Sequence, residues 1–247
     1  DCEIAYFRIL WKAFEPVEGM YNYALLDEIF SKAEEQKQCV MLRVVPHTAR
    51  EAEDVPDWLK EQIVCPERPD ERRIKDSPKD VLFLQKFAKC IRKIGKKYDA
   101  NPLFYAIDVS LPGAWGEGHG WEEYPKESLY ELIDAYTESF KETCILGQIT
   151  APELINYANE AHPVGMRADS LGNHLHMYFW IPQKIVHIKD VWKRAPISFE
   201  SFWYLNEWKN QGWDIDEIIE QSLKWHISSI NGKSSGIPIE WKSKIDE

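Results

Sequence analysis

An α/β fold of the (β/α)8 TIM-barrel type, short of one strand, is the class that this 247-residue sequence predicts. Short apolar runs alternate with helical, amphipathic stretches nearly from end to end, seven such runs can be counted, and no change of composition divides them. Alternation of this kind predicts a parallel sheet with helices packed outside it. A single unit of about 200–250 residues is ordinary for an α/β barrel, so residues 1–247 are read as one domain.

The elements follow in order. Ile4–Leu10 and Cys39–Val45 are read as strands, and between them Leu25, Leu26, Ile29, Phe30 and Ala33 mark one helix face at spacings of three and four. Residues 46–80 are rich in proline and charge and are read as one long irregular segment, on the catalytic face because it follows a strand. Leu84, Phe87, Ala88, Ile91 and Ile94 predict a helix stopping near Gly95, and Asn101-Pro102 then leads into a strand at Leu103–Val109. Leu129 to Phe140 carry the next helix, followed by a strand at Cys144–Gly147. Thr150-Ala-Pro-Glu153 has the form of a capping box. Strands at Val164–Ala168, Pro196–Phe199 and Trp225–Ile230 complete the set, with helices at Gln183–Val191 and through Ile215, Ile218, Ile219 and Leu223.

With 41 acidic against 30 basic side chains the net charge is −11, which argues against nucleic acid as a partner. The longest apolar runs, such as Leu103 to Ile107, are far too short to span a bilayer. Five scattered cysteines without Cys-x-x-Cys spacing predict buried thiols and neither a disulfide framework nor a thiolate zinc site. The composition stands out in its 11 Trp, 11 Tyr and 10 Phe, a number that suits a cleft stacking on flat, partly apolar ligands. Sugars are such a class, and the charge disfavours the other, nucleic-acid bases.

Active-site groups of a barrel stand at the carboxyl ends of its strands. After the run Phe104–Val109 comes Gly113-Ala-Trp115-Gly116-Glu117-Gly118-His119, where glycines flank a carboxylate and Trp115 and His119 offer a stacking face and a polar contact. An indole beside Glu117 is expected to raise its pKa toward that of a general acid. Glu200 closes the run Pro196–Phe199 and precedes Ser201, Phe202, Trp203 and Tyr204. Two carboxylates on different strands can cleave a glycosidic bond, one as proton donor and one as nucleophile. Arg167 and Asp169 share a strand face, Arg43 and His47 follow the third strand of a complete barrel, and Asn231 and Lys233 follow the last. Each is a candidate for sugar binding, and Arg8 for orienting the nucleophile. A metal site built from Glu117, His119, His174, His176 and Asp169 was weighed and set aside for want of a ligand spacing such as His-Glu-x-x-His. No cofactor is implied.

The segment Tyr6-Phe-Arg8-Ile-Leu-Trp11, Glu15-Pro-Val-Glu-Gly19-Met-Tyr21, Leu26-Asp27 resembles the stretch after the second barrel strand of β-galactosidase-like retaining glycoside hydrolases. Gly113 to His119 is similar to a Gly-x-Trp-Gly-Glu-x-His signature of one bacterial branch of that clan. The resemblance implies an acid/base after the fourth strand and a nucleophile at the end of the seventh. With Ile4–Leu10 as the second strand, these fall on Glu117 and Glu200. It also implies an opening strand upstream of residue 1, and it departs at Gly116, where the wider clan has an Asn contacting the sugar 2-OH. The function expected is cleavage of a β-linked oligosaccharide or polysaccharide, with Trp115, His119, Arg167, Asp169, Arg43, His47 and Asn231 binding sugar. The rival is a barrel that binds carbohydrate without chemistry. Glycan degradation points to export and unpaired cysteines to a reducing interior, so compartment and oligomeric state stay open.

Overall fold

The computed structural model describes residues 3–46, 48, 55–63, 80–188, 190–233 and 238–246. β1 (Ile4–Leu10) runs into a short helix α1 (Trp11–Phe14), then α2 (Tyr23–Glu35) and β2 (Cys39–Val45). α3 (Asp57–Ile63), α4 (Asp80–Tyr98), β3 (Phe104–Asp108), α5 (Lys126–Ser139), β4 (Cys144–Gln148), α6 (Pro152–Ala161) and β5 (Val164–Leu171) follow. A π-helical turn at His176–Trp180 leads into α7 (Ile181–Ile185), then β6 (Ile197–Ser201), α8 (Leu205–Asn210), α9 (Ile215–Lys224), β7 (Ser229–Asn231) and α10 (Lys242–Asp246).

The seven strands pair in parallel in sequence order, β1 to β7. The sheet is strongly curled. In a flat sheet β1 and β6 would stand about 24 Å apart, five strand spacings, yet Arg8 on β1 reaches Glu200 on β6 at 2.6 Å. The fold is therefore a partial (β/α)8 barrel with an enclosed lumen face.

Side-chain alternation sorts that lumen into layers. Met41, Ala106 and Leu146 form an apolar floor with Tyr6 against it. Two residues further along each strand the same face carries Arg8, Arg43, Asp108 and Gln148, and Arg8, Arg43 and Asp108 are register partners on neighbouring strands. The opposite faces hold Val40, Leu42, Val44 and Ile107, packed with Phe30, Phe87, Leu132 and Ile133 of the outer helices. A charged layer thus lies above an apolar one, at the carboxyl ends of the strands.

Several expectations need correction. Residues 46–80 are not wholly irregular: α3 lies within them and buries Leu59 against the core, with Val55 buried just before it; residues 47, 49–54 and 64–79 lie outside the described residues. α4 does not stop near Gly95 but runs on to Tyr98, and Gly95 is where α5 comes closest, since a Cβ there would lie 2.5 Å from that of Ser139. The capping box at Thr150 is not made. Thr150 Oγ1 donates to the carbonyl of Glu117, 2.5 Å away, and α6 starts without a side-chain cap. The helix expected at Gln183–Val191 begins earlier, as the π-helical turn and α7. The last strand is short because α9 runs to Lys224 and His226 turns the chain with φ 54°. Cys90 is buried and Cys39 and Cys144 are half-buried, all free thiols; Cys2 and Cys65 lie outside the described residues. No described helix is long and apolar enough to cross a membrane.

The glutamate of the Glu-Pro segment has a structural post. Glu15 is buried, accepting from the Trp11 indole (2.8 Å) and from the Gly19 backbone N–H (2.8 Å), while its carbonyl accepts from the Trp58 indole (2.9 Å). It staples α1 to α3.

Candidate active site

The charged layer centres on Asp108, fully buried at the end of β3. Its Oδ2 accepts from the Tyr6 hydroxyl (2.7 Å), Arg43 Nε (2.8 Å) and Arg167 Nε (3.3 Å), and its Oδ1 accepts from Gln148 Nε2 (2.6 Å). A buried carboxylate is tolerable only when so surrounded. Burial pushes the Tyr6 hydroxyl pKa up, which keeps that group a donor. Its ring lies between the guanidinium groups of Arg8 and Arg167, 5.4 and 5.3 Å from its centroid.

Both guanidinium groups bound to Asp108 continue outward. Arg167 Nη2 donates to Glu200 Oε2 (2.5 Å) and lies 3.3 Å from Asp169 Oδ1. Glu200 Oε2 also accepts from Arg8 Nη2 (2.6 Å) and Asn231 Nδ2 (3.2 Å), while Oε1 faces Lys233 Nζ at 3.2 Å. On the other side Arg43 donates to the Trp115 carbonyl (3.3 Å) and lies 3.5 Å from Glu117 Oε1. A continuous chain of charges therefore runs Glu117, Arg43, Asp108, Arg167, Glu200.

Glu117 is placed by a tight loop. Gly113 (φ 107°) leaves no room for a side chain, because a Cβ would sit 2.7 Å from the His119 carbonyl oxygen. Gly116 (φ 76°) would put a Cβ 2.5 Å from Ser110 Oγ, so the Asn of the wider clan cannot stand there without displacing the loop. Trp115 adopts φ 60°, and its indole is 40 % exposed. Thr150 and the Trp121 indole, which donates to the Thr150 carbonyl (3.2 Å), tie the loop to the start of α6.

The pKa expected for Glu117 is overturned. Burial pushes it up, but His119, whose Nε2 is 3.8 Å away, and the charges of Arg43 and Arg8 outweigh this and hold the carboxyl below its ordinary value. His119 is raised in turn, chiefly by Glu117. The two groups thus shift each other in opposite directions, as a carboxylate and an imidazole placed side by side do.

Beside Glu117 opens a cleft of about 300 Å³, lined by Glu117, His119, Trp121, Gln148, Thr150, Arg167, Asp169, His176, Trp180 and Lys184 among others. Of the residues expected at the site, Glu117, His119, Arg167 and Asp169 meet here, and Arg43, Glu200 and Asn231 join through the charge chain. Arg43 is fully buried, so it reaches the site through Glu117 and Asp108. Trp115 contributes its carbonyl to Arg43, and the indoles that line the cleft are Trp121 and Trp180. His47 lies outside the described residues. His174 turns away to Glu217 (3.7 Å), and among the described residues no group of three or more His, Cys, Asp or Glu is placed to hold a metal.

Sequence reasoning missed Asp108, Gln148, Trp121, Trp180 and the role of Tyr6. A signal for Asp108 and Gln148 was present: Ala106-x-Asp108 and Leu146-x-Gln148 repeat the apolar-x-polar pattern of Tyr6-x-Arg8 and Met41-x-Arg43.

Known proteins resemble the chain in part of its sequence and in its fold. Residues 2–110 match the family model described as beta-galactosidase, a match that takes in Arg8, Arg43 and Asp108 and ends before both candidate carboxylates. No curated protein matches the sequence. Among solved structures, endo-glycoceramidase II from Rhodococcus sp. in complex with a cellobiose-like imidazole has a TM-score of 0.55 at 14 % identity over 95 % of this chain and 66 % of that one. Native xylanase 10B from Thermotoga maritima has 0.51 at 13 %, over 90 % and 58 %. The chain thus spans just under two thirds of the endo-glycoceramidase's length. The class defined by fold and family match is the β-galactosidase-like glycoside hydrolase barrel, which this chain resembles.

Proposed function

We propose that the protein is a retaining glycoside hydrolase acting on a β-linked oligosaccharide or polysaccharide, with Glu117 as acid/base and Glu200 as nucleophile. One observation carries this reading: two carboxylates from opposite sides of the barrel mouth are held by a single chain of buried charge, Arg43–Asp108–Arg167. The solved complex of the Rhodococcus enzyme described as a lactosyl-enzyme intermediate lends support from a similar fold.

Oε2 of Glu200 takes three hydrogen bonds, whereas among the described residues Oε1 has Lys233 alone beside it, so Oε1 is the attacking atom. As the bond from Oε1 to the anomeric carbon forms and the glycosidic bond breaks, Glu117 gives its proton to the leaving oxygen. A water then attacks the glycosyl ester, Glu117 takes the water's proton, and Glu200 departs as carboxylate. His119, Arg43 and Arg8 hold the Glu117 pKa below its ordinary value, and substrate that displaces water from the cleft favours the neutral acid. That lowered pKa is also what a binding-only barrel would show, so covalent chemistry is the deciding test. A 2-deoxy-2-fluoro aryl β-glycoside panel should leave a glycosyl adduct on the peptide containing Glu200, read by mass spectrometry. Turnover with inverted product and no adduct would overturn the assignment.

A further inference from the structure

The cleft beside Glu117 contains two buried polar atoms that make no hydrogen bond among the described residues. Asp169 Oδ1 is buried and accepts no hydrogen bond, although Arg167 lies 3.3 Å off in poor alignment, and His176 Nδ1 is buried and likewise unpartnered. Both residues line the same space, with the Trp180 ring 5.5 Å from that of His176 and Trp121 in the same lining. Buried polar atoms are nearly always paired, so an acceptor and a ring nitrogen left open in one cleft are complementary to a ligand that supplies hydroxyl groups. Indole faces beside them suit the C–H face of a pyranose ring. The cleft is lined by Glu117 and not by Glu200, and a proton donor faces the leaving oxygen.

We propose that this cleft is the subsite for the leaving sugar, that it takes a neutral pyranose, and that Asp169 and His176 determine its specificity by accepting from and donating to hydroxyls of that sugar. The proposal rests on the glycosidase reading for its side assignment, but its binding does not depend on turnover. Asp169 accepts from one hydroxyl, His176 Nδ1 engages a second, and Lys184, which lines the same cleft and donates to the Thr150 carbonyl at 3.4 Å, offers a further polar contact.

The test uses cellobiose, lactose and xylobiose beside the aryl β-glycosides of the same glycones. Binding is followed by tryptophan fluorescence, since Trp121 and Trp180 line the cleft, and hydrolysis by kcat/KM. The ratio of disaccharide to aryl-glycoside kcat/KM should fall at least tenfold in Asp169→Asn and in His176→Ala, and disaccharide binding should weaken at least tenfold in both. If Asp169→Asn fails to fold, His176→Ala decides alone, because its side chain is outside the charge network. An equal loss on both substrate types would mean a general role and overturn the proposal. Disaccharide binding that is lost in the variants, without hydrolysis by the wild type, would keep a sugar subsite while removing the glycosidase reading and the side assignment. No disaccharide binding and no variant effect would overturn the subsite itself.

Discussion

Glu200 and Glu117 stand at the same end of one barrel in opposite surroundings. Glu200 is built into β6, with three cations and an amide around it and a side chain only 10 % exposed. Glu117 rides on a glycine loop, meets one guanidinium at 3.5 Å and one histidine at 3.8 Å, and opens on a cleft. A group that must remain an anion through the first half of a reaction gains from strand rigidity and matched positive charge. A group that must lose and regain a proton needs access to substrate and fewer fixed cations around it. The difference in scaffolding teaches which carboxylate suits which task, and it can be broken experimentally.

The largest effect should come from Glu200→Gln, which removes the nucleophile and should cost at least about 10³-fold in kcat on every competent substrate. Glu117→Gln should cost about 10²–10⁴-fold on sugars with poor leaving groups. It should recover much of that loss on aryl glycosides whose phenol leaves without a proton. Rates measured across a series of phenols would show a steep dependence for the Glu117 variant only, and the reverse pattern would exchange the two assignments.

Next comes the charge that links them. Asp108→Asn leaves Arg43 and Arg167 in a buried layer with one anion fewer, and should destabilise the fold by about 3–5 kcal/mol, measured by urea unfolding. Lys32→Ala, which opens an exposed pair with Glu28, should leave the midpoint unchanged. Equal behaviour of the two variants would show that Asp108 does not organise the site.

The smallest effect is a shift in pH dependence. A depressed pKa means that Glu117 loses its proton at lower pH, so the falling basic limb of kcat/KM lies further to the acid side than an ordinary glutamate would place it. His119→Gln removes a cause of that depression, so the limb should move to higher pH. A limb that stays in place would mean that Glu117 does not set it.

Much of this was legible in the residues alone. Short apolar runs marked the seven strands, the last of them set too early, and period-3.6 patterns marked most helices, because burial of one face of a helix or both faces of a barrel strand leaves a direct hydrophobic signature. Glu117 and Glu200 were found because each follows an apolar run, where barrel chemistry sits. Asp108 and Gln148 were passed over because a lone polar residue in an apolar strand looks like an interruption until its neighbours on other strands are known. Thr150 looked like a helix cap, and its hydroxyl instead serves a carbonyl 33 residues earlier. Local bonding rules cannot see such a partner.

The sequence by itself determined the alternation of strands and helices, the candidate carboxylates on the loop after one strand and at the end of another, and a composition suited to sugar. The tertiary structure alone decided that Arg8 meets Glu200 across 192 residues, that Asp108 joins both carboxylates, and that His119 and Arg43 hold the Glu117 pKa below its ordinary value. Strand identity follows from local hydrophobic period, whereas electrostatic partners follow from curvature and register, which bring distant residues within a few ångströms where water is excluded and charges act strongly.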